Sequence, residues 1–263
     1  MNYLEIYPEL KKVEWFDLVR PGRLRVFFEI LLPLPFLFVS LYSIHNGWIT
    51  LAFAGAFFFF LAGLRLSHNA QHYIVGCKRK GCEWVMYGLS ILMMNSMHAV
   101  QVTHLRHHKH CLDEYDVEGY FAKLPVWQAL LYGPLFTVYM HTNAWKLGSS
   151  YQQKWIAFEL ISELIVLTMA LFSGVLFVET FVLLMLLANC LTGFFCVWLV
   201  HYGCDGLDKI SRTMRSPWIN RITMNMLLHV EHHLFPQVPT YNLGKLAKRI
   251  DVISKQFQQN QVI

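Results

Sequence analysis

The sequence holds thirteen histidines, and eight of them fall in three short clusters. The clusters read HNAQH at 68–72, HLRHH at 104–108 and HVEHH at 229–233. Positions i, i+3 and i+4 of an α-helix share one face, so the histidines of each cluster should point the same way. A ninth histidine directly follows a long apolar run. The nine candidate metal ligands are His68, His72, His104, His107, His108, His201, His229, His232 and His233.

This histidine pattern predicts a metal centre. Imidazole is a good ligand for iron, copper, nickel and zinc. Nine converging rings exceed what one ion can hold, so two metal ions are expected. Chance is a poor explanation, because a random chain of this composition would contain roughly 0.03 copies of the HxxHH pattern, whereas two occur here. A solvated helix end would explain one such cluster but not all three.

Four apolar runs are predicted to position the clusters. A helix rises about 1.5 Å per residue, so about 20 residues cross a hydrocarbon core of about 30 Å. The runs cover approximately residues 26–44, 48–66, 156–177 and 181–200. Three-residue links join the first run to the second and the third to the fourth. Both pairs should therefore form tight hairpins, which places all three clusters on one side of the membrane.

The predicted fold is all-α, an integral membrane bundle of four transmembrane helices in a single domain over residues 1–263. Residues 67–155 and 201–250 would form a helical cap that carries the histidines. Two weaker apolar stretches of this cap, 84–100 and 127–140, are expected to form helices in the membrane interface or under the bundle. If both crossed the membrane, His68 and His107 would lie on opposite faces.

Composition and charge agree with a membrane location and give an orientation. Only 15% of the residues are charged, against about 25% in a typical soluble domain. Neither hairpin tip contains lysine or arginine, so the positive-inside rule places the cap and its histidines in the cytoplasm. A multi-pass protein of a bacterial inner membrane is favoured over one of the endoplasmic reticulum. The six cysteines include no CxxC pair and indicate no disulfide framework.

The order HxxxH, HxxHH and HxxHH, with a helical hairpin between, resembles the membrane fatty acid desaturase and hydroxylase superfamily. The stretch HVEHHLFPQVP at 229–239 resembles the third histidine box of acyl-lipid desaturases, in which HxxHHLFPxxP recurs. The resemblance covers roughly residues 25–245. It implies two non-haem irons that activate O2, held by the eight clustered histidines, and His201 matches an additional ligand that follows the last span.

The chain also departs from parts of that family. Asn69 stands where many members have aspartate, and three residues rather than four separate His68 from His72. Val197 occupies a position where stearoyl-type desaturases have an asparagine near the metal. These differences point away from the stearoyl-CoA branch. They leave acyl-lipid desaturases, hydroxylases and carotenoid ketolases as alternatives.

Carboxylates could orient the metal-binding rings, because a metal-bound histidine usually donates its other N–H to a carboxylate or carbonyl. Glu159 and Glu163 lie one turn apart in the third apolar run, where a carboxylate is costly and often functional, although both could instead reach the interface. His110 extends the second cluster, and a solvated neighbour is a better interpretation than a ligand. The other candidate carboxylates are Asp113, Asp116, Glu118, Asp205 and Glu231.

These features predict a di-iron oxidoreductase that introduces a double bond into a lipid acyl chain entering from the bilayer. A hydroxylase or ketolase of an alkyl chain or terpenoid on the same site is the alternative. The chain has no dinucleotide-binding, haem or iron–sulfur motif, so a separate ferredoxin or cytochrome with its reductase should supply electrons. No nucleic-acid partner is expected. A metal transporter is a distant alternative, because it would need ligands near the midplane and the apolar runs contain no histidine.

Overall fold

The computed structural model describes residues 3–262. Within that range the secondary-structure elements are all helical. The α-helices are α1 (Tyr3–Ile6), α2 (Arg23–Leu31), α3 (Leu34–His45), α4 (Ile49–Gln71), α5 (Arg79–Met93), α6 (Met97–His110), α7 (Val126–Leu131), α8 (Gly133–Leu147), α9 (Ser150–Ser173), α10 (Leu176–Asn189), α11 (Leu199–His201), α12 (Pro217–Ile222), α13 (His229–Leu234) and α14 (Leu243–Ile253). Short 3-10 turns lie at Pro8–Lys12, Phe16–Leu18, Gly119–Lys123, Thr240–Asn242 and Lys255–Gln258.

Four helical stretches are long and apolar enough to cross a membrane, which confirms the predicted number and order of spans. They are Arg23–His45, Ile49–Gln71, Ser150–Ser173 and Leu176–His201. The second and fourth extend further than predicted and carry His68 and His201 in their last turns. The first span also ends on a histidine, His45. The expectation that the spans contain no histidine was therefore wrong at the ends of three spans, because helical hydrogen bonding continues beyond the apolar residues.

Capping explains where the third span begins and ends. It begins at Ser150 rather than at the predicted residue 156, because the Ser149 side chain accepts a hydrogen bond from the backbone N–H of Gln152 and the Gln152 side-chain oxygen accepts one from the backbone N–H of Ser149. It ends at Ser173, because Gly174 adopts a left-handed conformation with φ of 65°. The link between the third and fourth spans therefore lies a few residues earlier than predicted.

The fourth span is not a uniform α-helix. Between α10 and α11, the segment Gly193–Trp198 is π-helical. A π segment places one additional residue in a turn and is frequent at functional sites. Gly193 faces the Phe136 ring, which a Cβ atom at this position would approach to 2.9 Å. The π segment ends directly before α11, whose last residue is His201.

The bundle core lies around α4, which packs against α3, α5 and α10. Phe59, Met86 and Met93 are fully buried there. Gly55 permits close approach of α3 and α4, since a Cβ atom at this position would lie 2.7 Å from the backbone nitrogen of Ser40. Close packing of the first hairpin fixes the direction in which α4 carries its histidines to the membrane surface.

A buried ion pair fixes the start of the first span to the end of the second. Arg65 Nε and Nη2 donate to the two carboxylate oxygens of Glu29, at 3.0 and 2.6 Å. Arg25 approaches the same carboxylate at 2.7 Å. Burying a charge costs several kcal/mol unless it is paired with good geometry, so this bidentate pair defines how α2 sits on α4. Arg65 lies one helical turn before His68.

The two weaker apolar stretches do not form continuous long helices. The first is divided between α5 and α6, where Met94 adopts a left-handed conformation and the Ser96 side chain caps α6 by accepting from the N–H of Ala99. The second forms α7 and the start of α8, which are separated at Tyr132. Neither stretch is among the four candidate spans. Their position relative to the lipid stays a prediction.

A second core positions the third histidine cluster. Leu10, Leu246 and Ile250 are fully buried in it, together with Leu228 and Phe235 on either side of α13. The N-terminal 3-10 turn and the amphipathic helix α14 thereby enclose α13. This packing holds the third cluster against the ends of the membrane helices, although it lies more than 120 residues after the second cluster in the chain.

Candidate metal centre

The nine histidines predicted as ligands converge in one place at the end of the helix bundle. We call the clusters at 68–72, 104–108 and 229–233 box one, box two and box three. Box one lies at the end of α4, box two on α6 and box three on α13. His201 ends α11, the last turn of the fourth span. Seven of the nine are buried, and His72 and His108 are partly buried. The imidazoles form two groups, and each group includes residues from distant parts of the chain.

The first group contains four histidines whose ligand atoms lie within 4.8 Å of one another. Nε2 of His68 lies 2.8 Å from Nε2 of His232, which joins box one to box three. The Nε2 atom of His72 is buried and has no hydrogen-bond partner, although its ring packs against those of four other cluster histidines. The members are His68, His72, His104 and His232.

The second group contains His107, His201, His229 and His233. Nε2 of His201 lies 3.0 Å from that of His107 and 2.9 Å from that of His229. Nε2 of His233 lies 3.3 Å from that of His107 and 3.2 Å from that of His229. Box two therefore serves both groups, since His104 belongs to the first and His107 to the second.

His108 lies between the two groups. Its Nε2 atom is 3.2 Å from Nε2 of His104 and 2.7 Å from Nε2 of His232, both in the first group. Its ring centroid is 4.5 Å from that of His233 in the second group. The structure thus brings all nine predicted histidines together. Their assignment as metal ligands stays a prediction.

The geometry of these nitrogens fits two bound metal ions. A neutral imidazole carries only one N–H donor, so hydrogen bonds cannot satisfy many Nε2 atoms that converge on one another. An imidazole nitrogen lies about 2.1 Å from a first-row metal, and two ligands at a right angle are then about 3.0 Å apart. The Nε2 separation of His68 and His232 in the first group, 2.8 Å, and the four neighbouring separations in the second group, 2.9 to 3.3 Å, lie close to this value. Together with the buried, unpaired Nε2 atom of His72, they fit a di-metal centre.

Burial keeps most of these rings in the neutral form that binds metal. It lowers the pKa of the histidines at 72, 108, 229, 232 and 233 well below the ordinary 6.5, and nearby imidazoles lower it further. Neutral imidazole is the form that coordinates a metal. His107 differs, since burial lowers its pKa but the hydrogen bond and charge of Asp116 raise it by more.

Two carboxylates contact the Nδ1 atoms of box two, on the side of each ring away from Nε2. Asp116 Oδ2 lies 2.7 Å from Nδ1 of His107, and Glu118 Oε1 lies 3.3 Å from Nδ1 of His104. Burial raises the pKa of Asp116, but hydrogen bonds from His107 and two backbone N–H groups outweigh this effect and lower the pKa to about 2. Asp116 is therefore an anion that orients His107 with its Nε2 toward those of His201 and His233.

The other candidate carboxylates form their hydrogen bonds elsewhere. Glu231 pairs with Thr213 and Arg215, at 2.7 and 2.6 Å. It thus fixes α13 rather than a metal-binding ring. Asp205 accepts from the backbone N–H groups of Leu207 and Lys209 and closes a turn. No contact with a candidate metal-binding ring is observed for either carboxylate, so their support of those rings stays a prediction; sequence proximity to a histidine does not give the direction of a side chain.

The intramembrane glutamates also lie apart from the two groups. Glu159 Oε1 lies 2.6 Å from Nδ1 of His98, and its other oxygen accepts from the Ser96 hydroxyl. This pair links α6 to α9 inside the protein and gives His98 a structural role. Glu163 Oε1 is buried without a hydrogen-bond partner. The expected support of metal-binding rings has no observed contact for either glutamate and stays a prediction.

His110 belongs to neither group. Its Nδ1 atom lies 2.9 Å from Asp113 on the partly exposed side of the cap. This position agrees with the interpretation of His110 as a solvated neighbour. His110 lies outside both groups because it is at the end of α6, beyond the helix face that carries His104, His107 and His108.

Asn69 has a role that the sequence did not reveal. Its amide nitrogen donates to the Thr240 hydroxyl at 3.0 Å, and its amide oxygen accepts from the Thr240 backbone N–H at 3.1 Å. The side chain thereby joins box one to the segment that follows box three. An ionised aspartate has no donor to offer that hydroxyl. The only signal in the sequence was the departure from the aspartate found in many similar proteins.

Comparison with known proteins places this arrangement in a family. A family model described as fatty acid desaturase matches residues 43–259. No curated protein and no solved structure gave a match. The matched range includes all nine histidines and three of the four candidate spans in full. Because this match covers most of the chain, the protein belongs to the fatty acid desaturase family.

Proposed function

We propose that this protein is an O2-dependent di-iron desaturase that introduces a double bond into the acyl chain of a membrane lipid or fatty acid. Family membership and the histidine groups support a membrane oxidoreductase of the desaturase and hydroxylase type. The observation that carries the proposal is the pair of adjacent, buried four-histidine groups with His108 between them. A zinc-binding structural site would need only one such group.

The proposed cofactor is a pair of iron ions, held by His68, His72, His104 and His232 on one side and by the second group on the other. When bound, such a pair supplies oxidation by O2 strong enough to remove hydrogen from an unactivated C–H bond, which no side-chain acid or base can do. The protein's own residues hold the rings, keep them neutral and limit the access of water. Asp116 and Glu118 fix the orientation of box two.

A groove beside box one supports a lipid substrate that arrives from the bilayer. It has a volume of about 460 Å³ and includes Arg65, one helical turn before His68. On α2, Phe27 and Phe28 are 56% and 57% exposed, as expected for side chains that contact lipid. Exposed aromatic side chains on α2 and the Arg221 cation at the groove suit a lipid with a polar or anionic head. The groove is lined by Leu32, Arg65, Pro217, Asn220, Arg221, Met224 and Asn225.

The proposed orientation places the metal centre in the cytoplasm, in a bacterial inner membrane. Basic residues are absent from both hairpin tips and abundant in the cap, which supports this assignment by the positive-inside rule. Reporter fusions at residues 46 and 179 are expected to report the outer side, and fusions at 150 and 263 the cytoplasm. A cytoplasmic signal at either tip would contradict the orientation without affecting the metal site.

Electrons for the reaction are proposed to come from a separate ferredoxin or cytochrome with its reductase. The protein's basic cap offers a surface to which an acidic carrier is attracted. Residues Lys78, Arg79 and Lys80 form one such basic run after box one. Purified protein should therefore form product only after a reduced carrier of this kind is added.

The reaction is tested by expression in a host without desaturases, followed by mass spectrometry of total lipids. A product that has lost two hydrogens supports desaturation. A product that has gained one oxygen atom would replace the proposal with the hydroxylase alternative, and a carbonyl product would indicate a ketolase. A chain with alanine at His107 and His232 is the matched control, because it should insert in the membrane but lack both groups. Product from this control would contradict the site.

A further inference from the structure

Outside the metal centre, the structure brings two cysteines into contact at the turn that follows box one. Cys77 lies in the turn between α4 and α5, and Cys82 lies in the first turns of α5. Their Sγ atoms are 3.2 Å apart. The sequence indicates no disulfide framework, and both thiols are free. We propose that these two thiols form a reversible oxidation site, which closes to an intramolecular disulfide when a hydroperoxide is present.

The backbone around the pair allows this contact. A Cβ atom at Gly81 would lie 3.2 Å from both Cβ and Sγ of Cys77, so the glycine leaves space for that side chain. Gly76 has a φ of 101° and packs against Pro21 and Val26, which any larger residue would overlap. A disulfide has an S–S length of about 2.05 Å, so the sulfurs need to approach by about 1.2 Å.

The two thiols differ in environment in a way that assigns their roles. Cys77 is partly exposed, whereas Cys82 is fully buried. The hydrogen bond from the Cys82 thiol lowers the pKa of Cys77 to about 7, so a large fraction of Cys77 is thiolate at neutral pH. The hydrogen bond to Cys77 and burial raise the pKa of Cys82. Since the thiolate is the nucleophile, Cys77 reacts first and Cys82 second.

The chemistry balances with a hydroperoxide as the oxidant. The Cys77 thiolate attacks the outer oxygen of the peroxide, the O–O bond breaks, and the departing oxygen takes a proton to leave as an alcohol or as water. The resulting sulfenic acid is attacked by the sulfur of Cys82, which forms the S–S bond and releases water. Two thiols and one hydroperoxide thus give one disulfide, one alcohol and one water. A small dithiol such as dithiothreitol returns the pair to two thiols.

The sequence makes this bond easy to detect. Lys78, Arg79 and Lys80 lie between the two cysteines, so trypsin cleaves the chain between them. After treatment of the purified full chain with one equivalent of hydrogen peroxide and blocking of free thiols, the peptide that ends at Lys78 should be linked to the peptide that begins at Gly81. The linked product should be two hydrogens lighter than the sum of its parts and should separate after reduction. This readout requires neither iron nor catalytic activity, so it is independent of the proposed function.

Reaction rates and variants test the assigned roles. Cys204 is also partly exposed but burial raises its pKa, so at pH 7 Cys77 should lose its free thiol roughly tenfold faster. Cys82→Ser should stop the reaction at a sulfenic acid on Cys77 that dimedone traps, while Cys204→Ser should leave the linkage unchanged. Equal rates at Cys77 and Cys204, or unlinked peptides after Cys77 has reacted, would overturn the proposal. If Cys82→Ser fails to fold, the peptide map of the unmodified chain decides alone.

Discussion

The variant His201→Ala is expected to retain about one metal ion per chain instead of about two and to lose at least about 100-fold in product formation. Changes even to residues behind a metal ligand typically cost about 10- to 100-fold in metal affinity or activity, and His201 lies in the second group itself. Its Nε2 atom contacts those of His107 and His229. The measurement is iron content by elemental analysis of the purified protein, together with lipid product per chain.

His45→Ala is the matched control for this variant. His45 is exposed at the tip of the first hairpin, at the opposite end of the span from the cap. Its loss should leave both the metal content and the product unchanged. If His201→Ala instead retained two ions and full activity, the second group would not be a metal site and the di-metal proposal would fail.

The variant Asp116→Asn is expected to lower metal affinity about 10- to 100-fold while leaving every histidine in place. Asp116 accepts three hydrogen bonds, from His107 and from the backbone N–H groups of Leu112 and Gly119. An amide has one accepting oxygen and an NH2 group, so at least one of these donors would face another donor. His107 would also lose the negative charge that orients it and increases its basicity. Competition with a metal chelator measures the change.

Asp113→Asn provides the comparison. Asp113 lies three residues before Asp116 in the same turn, but it pairs with His110 and its side chain is 37% exposed. An exposed pair of this kind contributes at most about 1 kcal/mol, and His110 lies outside both groups. Metal affinity should therefore change little. Equal losses for the two variants would show that Asp116 has no specific role in holding His107.

The sequence predicted the parts of the structure that depend on local periodicity. The four spans follow from hydropathy, and each histidine cluster follows from helical spacing of residues such as His229, His232 and His233. Both are properties of one segment at a time. The expectation of two metal-binding groups came from the same kind of reasoning, because nine imidazoles exceed the capacity of one ion, and the histidines do form two groups.

The partition of the histidines could not be predicted, because it depends on how distant helices pack. His104 and His107 are one turn apart on α6, yet they serve different groups, since α4 approaches one side of α6 and the end of the fourth span approaches the other. The partners of the carboxylates could not be predicted either, because they too depend on how distant helices pack. Glu159 and Asp116 were equal candidates by composition, but tertiary packing gives one to His98 and the other to His107.

The π-helical turn before His201 has a consequence for the length of the fourth span. Side chains advance around an α-helix by about 100° per residue. The additional residue in Gly193–Trp198 therefore rotates the side chains of α11 about the helix axis relative to those of α10. Removing one residue there would restore ideal helical hydrogen bonding while swinging His201 away from His107 and His229. The number of residues in this span is thus as important to the second group as the identity of the ligand. An insertion or deletion that leaves the hydropathy of the span unchanged would still disable that group.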